Sequence, residues 1–372
     1  MHARLYLAIS AAILLCPQAR AQMPLTGDLG IHDPSAVIRA GSTYFVYATG
    51  GGFKTSKDRM RWSQGSRVFT ADPAWWKDQI PAPERPALWA GDIVHRDGTY
   101  WFYYSVSAWM NFHSCVGLAT NSTLDPADPA YRWVDKGVVI DSARGGAGGK
   151  GRVNVIDPNL FEDTDGKAYL NYGSYQGGLR QIRIEPATGL ALENPPKPVT
   201  LTTGLGEAAF MIRAGDWYYF TCSRGKCCAG MESTYQVVYG RARSPQGPFL
   251  TKNGSSMLNN AYEVLLSGDA NHPGQGGQSF FRDRDSLFMV YHSYTAPDGK
   301  SLLNIRPVYQ DPAGWLTLDP AKGTVIRDNP SVVTSRGEGR RVHRSGGART
   351  LNAAGRRQSA SSRATPTFRS NL

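Results

Sequence analysis

The chain is 372 residues long and 41% hydrophobic, with a formal charge of +11; it is long enough for one large domain or two smaller ones. Nine arginines against one glutamate between residues 336 and 369, with Arg4 and Arg20 at the other end, account for nearly all of that charge. The stretch between is close to neutral, which excludes nucleic-acid binding by the folded part.

The first 21 residues read as a secretory signal peptide. His2 and Arg4 precede an apolar run from Leu5 to Cys16, and Ala19-Arg20-Ala21 offers a small-x-small cleavage site. The run is shorter than the roughly 20 residues a bilayer span needs. The expected location is secreted or periplasmic, with no membrane anchor.

From there five aromatic segments punctuate the chain. They begin at Tyr44, Tyr100, Tyr169, Trp217 and Phe288 and end at Tyr47, Tyr103, Tyr172, Phe220 and Tyr291. Each follows a turn: Ala40-Gly41-Ser42, Asp97-Gly98-Thr99, Asp165-Gly166-Lys167, Ala214-Gly215-Asp216 and Arg284-Asp285-Ser286. Aromatic runs after Gly or Asp turns predict the second strand of a hairpin. Five such units, with little helical periodicity, predict an all-β fold, a five-bladed β-propeller over residues 22–330. The basic tail, 331–372, has too few large apolar residues to order itself and is expected to be disordered.

Roughly ten positions before each aromatic segment stands a polar group: Asp33, Asp92, Asp157, Glu207 and Gln278. The common register puts them on the innermost strand of each blade, so that acids from different blades converge on the axis. Converging acids suit three roles. One is glycoside hydrolysis, with a proton donor and a water-activating carboxylate. The others are a cation site and simple turn-capping; the repeated register favours the first. Trp89, Trp109 and Phe112 are placed to stack on sugar, whereas Trp101 is expected to pack between blades. A nucleophile elbow, a phosphate loop, a dinucleotide fingerprint and a His-Glu-x-x-His pair are all missing from the sequence.

With Cys16 in the signal segment, Cys115, Cys222, Cys227 and Cys228 remain. An oxidising compartment permits a bridge. Adjacent cysteines rarely join, so Cys222 with Cys227 or Cys228 is the local choice, and free buried thiols are the alternative. The spacing does not suit a zinc site.

Several segments together resemble glycoside hydrolase family 43, in particular its endo-α-1,5-L-arabinanases. They are His32-Asp33-Pro34-Ser35, Trp89-Ala90-Gly91-Asp92-Ile93, Tyr103-Tyr104-Ser105-Val106-Ser107, Gly117-Leu118-Ala119-Thr120 and Ile156-Asp157-Pro158-Asn159-Leu160. Glu207-Ala208-Ala209-Phe210 follows, and then the block from Cys227-Cys228-Ala229-Gly230 through Ser233-Thr234-Tyr235 and Gly240-Arg241 to Gly247-Pro248-Phe249. The resemblance implies a five-bladed propeller and an inverting mechanism. It makes Asp33 the general base, Glu207 the general acid, and Asp157 the group that orients Glu207 and keeps its pKa raised. Inversion asks for roughly 6.5–9.5 Å between acid and base carboxyls. Substrate contacts are expected from Trp89, Asp92, Trp109, Phe112, Asn154 and Ser174. The substrate would be a polysaccharide, arabinan or pectin side chains, and the protein a monomer.

The family pattern also implies one calcium ion on the axis. Its usual last-blade histidine motif reads Pro273-Gly274-Gln275-Gly276-Gly277-Gln278 here, which leaves Gln275 and His292 as expected ligands, with His272 as a substitute. Gly91 stands where the family has proline, and Gln176 where a second aromatic is common. Loops 72–85 and 142–152 would wall the cleft. An open groove means endo action, and a closed pocket an exo-acting α-L-arabinofuranosidase or β-xylosidase. The reading from another class is a non-catalytic polysaccharide-binding propeller.

Overall fold

The computed structural model describes residues 22–109, 113–145 and 153–327. The expected signal peptide, Phe112, most of the glycine-rich part of loop 142–152 and the basic tail lie outside them.

Five antiparallel sheets follow one another along the chain. Blade 1 runs Ile38–Ala40, Thr43–Tyr47, Gly52–Ser56 and Arg61–Arg67, with Thr26–Gly27 added parallel on its outer edge. Blade 2 is Ala87–Arg96, Thr99–Ser107, Ser114–Asn121 and Val134–Asp141; blade 3 is Asn159–Glu162, Ala168–Ser174, Gly178–Ile184 and Val199–Thr200. Blade 4 is Glu207–Ala214, Trp217–Arg224, Gln236–Ala242 and Glu263–Ser267; blade 5 is Gly276–Asp283, Ser286–Thr295, Lys300–Gln310 and Leu316–Thr317, with Thr324–Val325 beside Lys300–Gln310. The fold is the expected five-bladed propeller.

Each aromatic segment is the second strand of its blade. That strand has a partner on both edges and a neighbouring blade on both faces, so it loses the polar alternation of a half-exposed strand: Thr99–Ser107 is buried at every residue after the first. The turn ahead of it is built from left-handed residues, Asp97 (φ 48°) and Gly98 (φ 77°), as a two-residue hairpin requires.

The core is divided by blade interface. Phe45, Tyr47 and Phe53 meet Phe102 and Tyr104 between blades 1 and 2, and Trp101 and Tyr103 meet Leu170 and Tyr172 between blades 2 and 3. Phe161 and Tyr169 meet Met211 and Phe220, and Tyr219 and Tyr239 meet Met289 and Tyr291. The last interface, Phe281 and Val290 against Val46 and Trp62, joins blade 5 to blade 1 and closes the ring. Trp101 is therefore packing, as expected. Truncating one of these rings to Ala is expected to cost about 3–5 kcal/mol.

A strap reinforces the closure. Met23 N–H donates to Ile305 O, Leu303 N–H to Leu29 O and Ile31 N–H to Ser301 O, at 3.0, 2.8 and 3.1 Å. The same segment pairs with blade 1 through Thr26–Gly27. The first residues of the folded part thus tie the last blade to the first.

Candidate active site

At the axis the five inner strands are joined by a closed circuit of hydrogen bonds. Ala36 N–H of blade 1 donates to Asp92 Oδ1 of blade 2 at 3.3 Å, and Asn159 Nδ2 of blade 3 to Asp92 Oδ2 at 2.9 Å. Met211 N–H of blade 4 donates to Asn159 Oδ1 at 2.9 Å, and Gln278 Nε2 of blade 5 to Ala208 O at 2.8 Å. Ser279 Oγ returns the circuit to Pro34 O of blade 1 at 2.8 Å. Two of the five polar positions read from the sequence, Asp92 and Gln278, therefore hold the ring together. Asp92 is 3% exposed, and both of its oxygens accept these bonds. It is a strut beneath the site rather than the substrate contact the sequence suggested; a buried carboxylate needs donors on its oxygens more than it needs a sugar.

The other three acids gather above this ring. Asp33 and Asp157 stand just before the inner strands of blades 1 and 3, and Glu207 opens that of blade 4. Each is set by backbone in the left-handed region: Asp33 at φ 48°, Asp157 at φ 56°, and Ala208, next to Glu207, at φ 54°. Aspartate tolerates that region, and the proline after Asp33 and Asp157 disfavours continuing as helix. The turn-forming and the chemical readings of these aspartates thus coincide. Ala208 is held from both sides. Its N–H donates to Asp157 Oδ2 at 2.8 Å while its carbonyl accepts from Gln278. Asp157 itself is aimed by Ser105 Oγ, which accepts its N–H at 2.8 Å. Asp33, Asp157 and Ala208 line one cavity on the axis.

The three carboxyls have different electrostatic surroundings. Burial opposes ionisation of Asp33, but His32 and the Thr49 hydroxyl outweigh it and hold Asp33 well below the usual carboxylate range. His32 Nδ1 lies 2.7 Å and Thr49 Oγ1 2.8 Å from Asp33 Oδ2, and the Asp33 N–H donates to His292 Nδ1 at 3.1 Å. Oδ1 stays free of these donors. Burial, followed by the charges of Glu207 and Asp33, pushes Asp157 far above that range. Burial also raises Glu207, moderated by the Tyr235 O–H that donates to Oε1 at 2.7 Å. Asp157 and Glu207 act as one coupled pair: two close buried carboxyls cannot both ionise, so they retain a proton while Asp33 is ionised. An ionised carboxylate beside a proton-holding pair can perform general base and general acid chemistry at one pH.

The expected calcium ligands, His292 and Gln275, differ in what they offer a cation. His292 Nδ1 accepts the Asp33 N–H, so the neutral ring carries its proton on Nε2, which leaves no lone pair for a cation. Burial and the neighbouring His32 lower the His292 pKa to about 3, which keeps the ring neutral. Gln275 Oε1 is buried without a protein partner. Calcium takes six to eight oxygens, waters among them, of which Gln275 would supply one. His32, Asp33 and His292 do lie close enough to share an ion; His32 Nδ1 is bonded to Asp33 Oδ2 and His292 Nδ1 to the Asp33 N–H.

The model of the family "Glycosyl hydrolases family 43" matches residues 28–315. The chain belongs to glycosyl hydrolase family 43. It is a glycoside hydrolase. Similar proteins include an extracellular exo-α-(1→5)-L-arabinofuranosidase of Cellvibrio japonicus, 33% identical over 84% of this chain and 92% of that protein. An extracellular endo-α-(1→5)-L-arabinanase of Bacillus subtilis is 32% identical over 80% of this chain and 92% of its own length. Among solved structures, a Cellvibrio cellulosa α-L-arabinanase complexed with arabinohexaose superposes with a TM-score of 0.73 at 32% identity, covering 79% of this chain and 96% of that one.

Within this family 43 propeller the remaining expected site residues divide. Trp109 is 70% exposed and its ring lies 6.2 Å from that of Trp89, so the two form an aromatic shelf beside the axial cavity that Ala90 and Gly91 line. Asn154 and Ser174 are buried and bond to each other at 3.0 Å. Gly91 has no room for a side chain: a Cβ there would stand 2.7 Å from Phe102 Cζ and from Tyr103 O. The cysteines overturn the expectation. Cys227 and Cys228 are joined to each other, and Cys115 and Cys222 are free and buried. Cys222 points into the blade 3–4 core instead, out of reach of the loop.

Four site residues escaped the sequence reading as such. His32, Thr49, Tyr235 and Tyr294 all contact the acids or their partners. His32 and Tyr235 stood inside the quoted motifs, yet nothing in a motif says that Tyr235 crosses 28 residues to reach Glu207.

Proposed function

We propose that this hydrolase cleaves internal α-1,5-L-arabinofuranosyl linkages of arabinan with inversion. Asp33 Oδ1 takes a proton from water as the water attacks the anomeric carbon. Glu207 gives its proton to the departing oxygen, and Asp157 holds the Ala208 peptide and the shared proton that keep Glu207 ready. The observation that carries this reading is the convergence of Asp33 and Asp157 on one axial cavity, with Glu207 brought beside it through the Ala208 N–H that donates to Asp157; the partners of Asp33 hold it low, while burial raises the other two. The arabinan specificity rests on the names of the relatives. Those relatives are called extracellular, which with the signal-like first 21 residues supports secretion.

Endo action is favoured by two features. Loop 72–85, expected to wall the cleft, is drawn towards the flank of blade 2: Trp76 is buried against Phe69 and Tyr104, and Trp75 Nε1 donates to Asp135 Oδ2 at 2.6 Å. The Trp89–Trp109 shelf offers stacking beyond a single sugar. The exo reading has behind it the Cellvibrio japonicus relative, slightly more similar than the endo-acting one, and a solved exo-1,5-α-L-arabinanase from a bovine ruminal metagenomic library at 32% identity.

Linear arabinan digested with wild type, Glu207→Gln and Asp33→Asn tests the assignment. Both variants should lose activity by at least about a thousandfold while still binding the polymer. Wild type should release oligosaccharides of mixed length first. Release of monosaccharide alone refutes endo action, and an active Glu207→Gln refutes the acid.

A further inference from the structure

The Cys227–Cys228 bridge has no part in the chemistry above, yet it sits beside it. The loop that carries it follows Trp217–Arg224, the second strand of blade 4. Cys228 is solvent-exposed, and its Sγ lies 3.7 Å from His32 Nε2. Its backbone N–H donates to Tyr294 Oη at 2.8 Å; Tyr294 Oη is 2.9 Å from His32 Nε2, and His32 Nδ1 is 2.7 Å from Asp33 Oδ2. Burial opposes charge on His32, but Asp33 and Glu207 raise its pKa above the ordinary histidine value; in the neutral form of His32 these bonds share one direction. Cys228 N–H donates to Tyr294, Tyr294 O–H to His32 Nε2, and His32 Nδ1–H to Asp33. The tautomer follows from the network, since Asp33 can only accept.

Tyr294 is fixed in the second strand of blade 5, and Asp33 by its N–H bond to His292 and the Thr49 hydroxyl; the first donor lies in a loop. Cys228 has a φ of 61°, in the left-handed region that a non-glycine residue avoids. A bond between adjacent cysteines closes a small ring around their peptide and restricts that backbone. The rest of the loop has its own support. Thr234 N–H donates to Lys226 O and Lys226 N–H to Thr234 Oγ1, each at 2.9 Å, Ala229 N–H donates to Ser233 Oγ at 3.1 Å, and Gly230 packs on Gly299 of blade 5. Opening the bridge therefore frees the Cys228 peptide without unfolding the loop.

We propose that the Cys227–Cys228 disulfide is a positioning element for the base, holding His32 and Asp33 in line through Tyr294, and that its reduction turns the enzyme down reversibly. The inference rests on the reading of Asp33 as the base. Reduction by a dithiol such as dithiothreitol breaks the Sγ–Sγ bond and adds two electrons and two protons to give two thiols, while the reductant becomes its cyclic disulfide. The other thiols of the folded part do not interfere. Burial pushes Cys115 up to about 12 and Cys222 higher still, so neither is a ready nucleophile.

The test uses the whole protein. Dithiothreitol-treated enzyme is assayed on linear arabinan, melted by circular dichroism, and labelled with iodoacetamide for mass spectrometry; a second portion is reoxidised with oxidised glutathione. Labels should fall on Cys227 and Cys228 alone. kcat should drop roughly 10- to 100-fold, as displaced catalytic groups do, with KM and the melting curve little changed, and reoxidation should restore it. A Cys227→Ser/Cys228→Ser variant should show the same low kcat and no response to reductant. Full activity in a doubly labelled sample or in that variant overturns the inference, as does a loss that appears only with unfolding. Asp33→Asn separates the two claims. If it remains active, the base assignment fails; if it is dead while the reduced enzyme is fully active, only the role of the bridge fails.

Discussion

Tyr235→Phe probes the acid without touching it. The Tyr235 hydroxyl donates to Glu207 Oε1 at 2.7 Å, and the residue is 2% exposed. Because one oxygen is held, the transferable proton is confined to Oε2. A bond to an ionised carboxylate is worth about 1.5–3 kcal/mol, against about 1 kcal/mol for the neutral acid. Tyr235 thus favours the ionised form by about 1–1.5 kcal/mol. Its loss should raise the Glu207 pKa further, in the direction burial already drives it. The acid is active when protonated, so the basic limb of kcat/KM should move upward by about one pH unit. Asp33, ionised well below this range, leaves that limb to the Asp157–Glu207 pair; the other groups around Glu207 are His32, Tyr175 and Tyr294. At the wild-type optimum kcat on arabinan should fall about tenfold through loosened aim. An aryl arabino-oligosaccharide, whose phenolate leaves with little protonation, should lose less. The assay is a pH–rate profile on both substrates. A basic limb that stays put or moves down, or equal losses on both, would refute the role given to Tyr235.

Three other substitutions test the remaining parts. Trp109→Ala should raise KM for long arabino-oligosaccharides about tenfold, equivalent to about 1.4 kcal/mol of stacking; with 70% of the residue exposed, the melting temperature should hardly change. Asp92→Ala removes the carboxylate that joins blades 1, 2 and 3 and leaves Ala36 N–H and Asn159 Nδ2 without their acceptor. Urea unfolding should register a loss of about 3 kcal/mol. Gly277→Ala would set a Cβ 2.7 Å from His292 Nδ1 and 2.8 Å from Asp33 Oδ1 at a φ of +59°. kcat should fall roughly a hundredfold, and an active Gly277→Ala would mean the His292–Asp33 contact does not matter.

The sequence was informative wherever a single residue's surroundings are dictated by its blade. A second strand covered on both faces has to be apolar throughout, so Tyr100 and Tyr103 announce it. An acid at the head of an inner strand has to sit near the axis, so Asp33, Asp157 and Glu207 were recoverable from register. It was uninformative where the outcome depends on which way a side chain turns at that position. Asp92 shares the register of the others but lies within its strand, five residues past the strand's first residue, Ala87, where its oxygens meet backbone and amide donors. Cys227 and Cys228 are joined across a single peptide with Cys228 in left-handed backbone, and no spacing rule encodes that. The strap that carries Leu29 to Leu303 is likewise invisible locally, since neither end has a pattern of its own.

The central claim is that water, activated by Asp33, reaches the anomeric carbon from the side opposite Glu207. Proton NMR of the first sugar released from linear arabinan, recorded before mutarotation, tests it most directly. The account predicts that the new reducing end appears as the β-anomer. An α-anomer at the earliest times would mean retention, and would contradict the assignment of Asp33 as base.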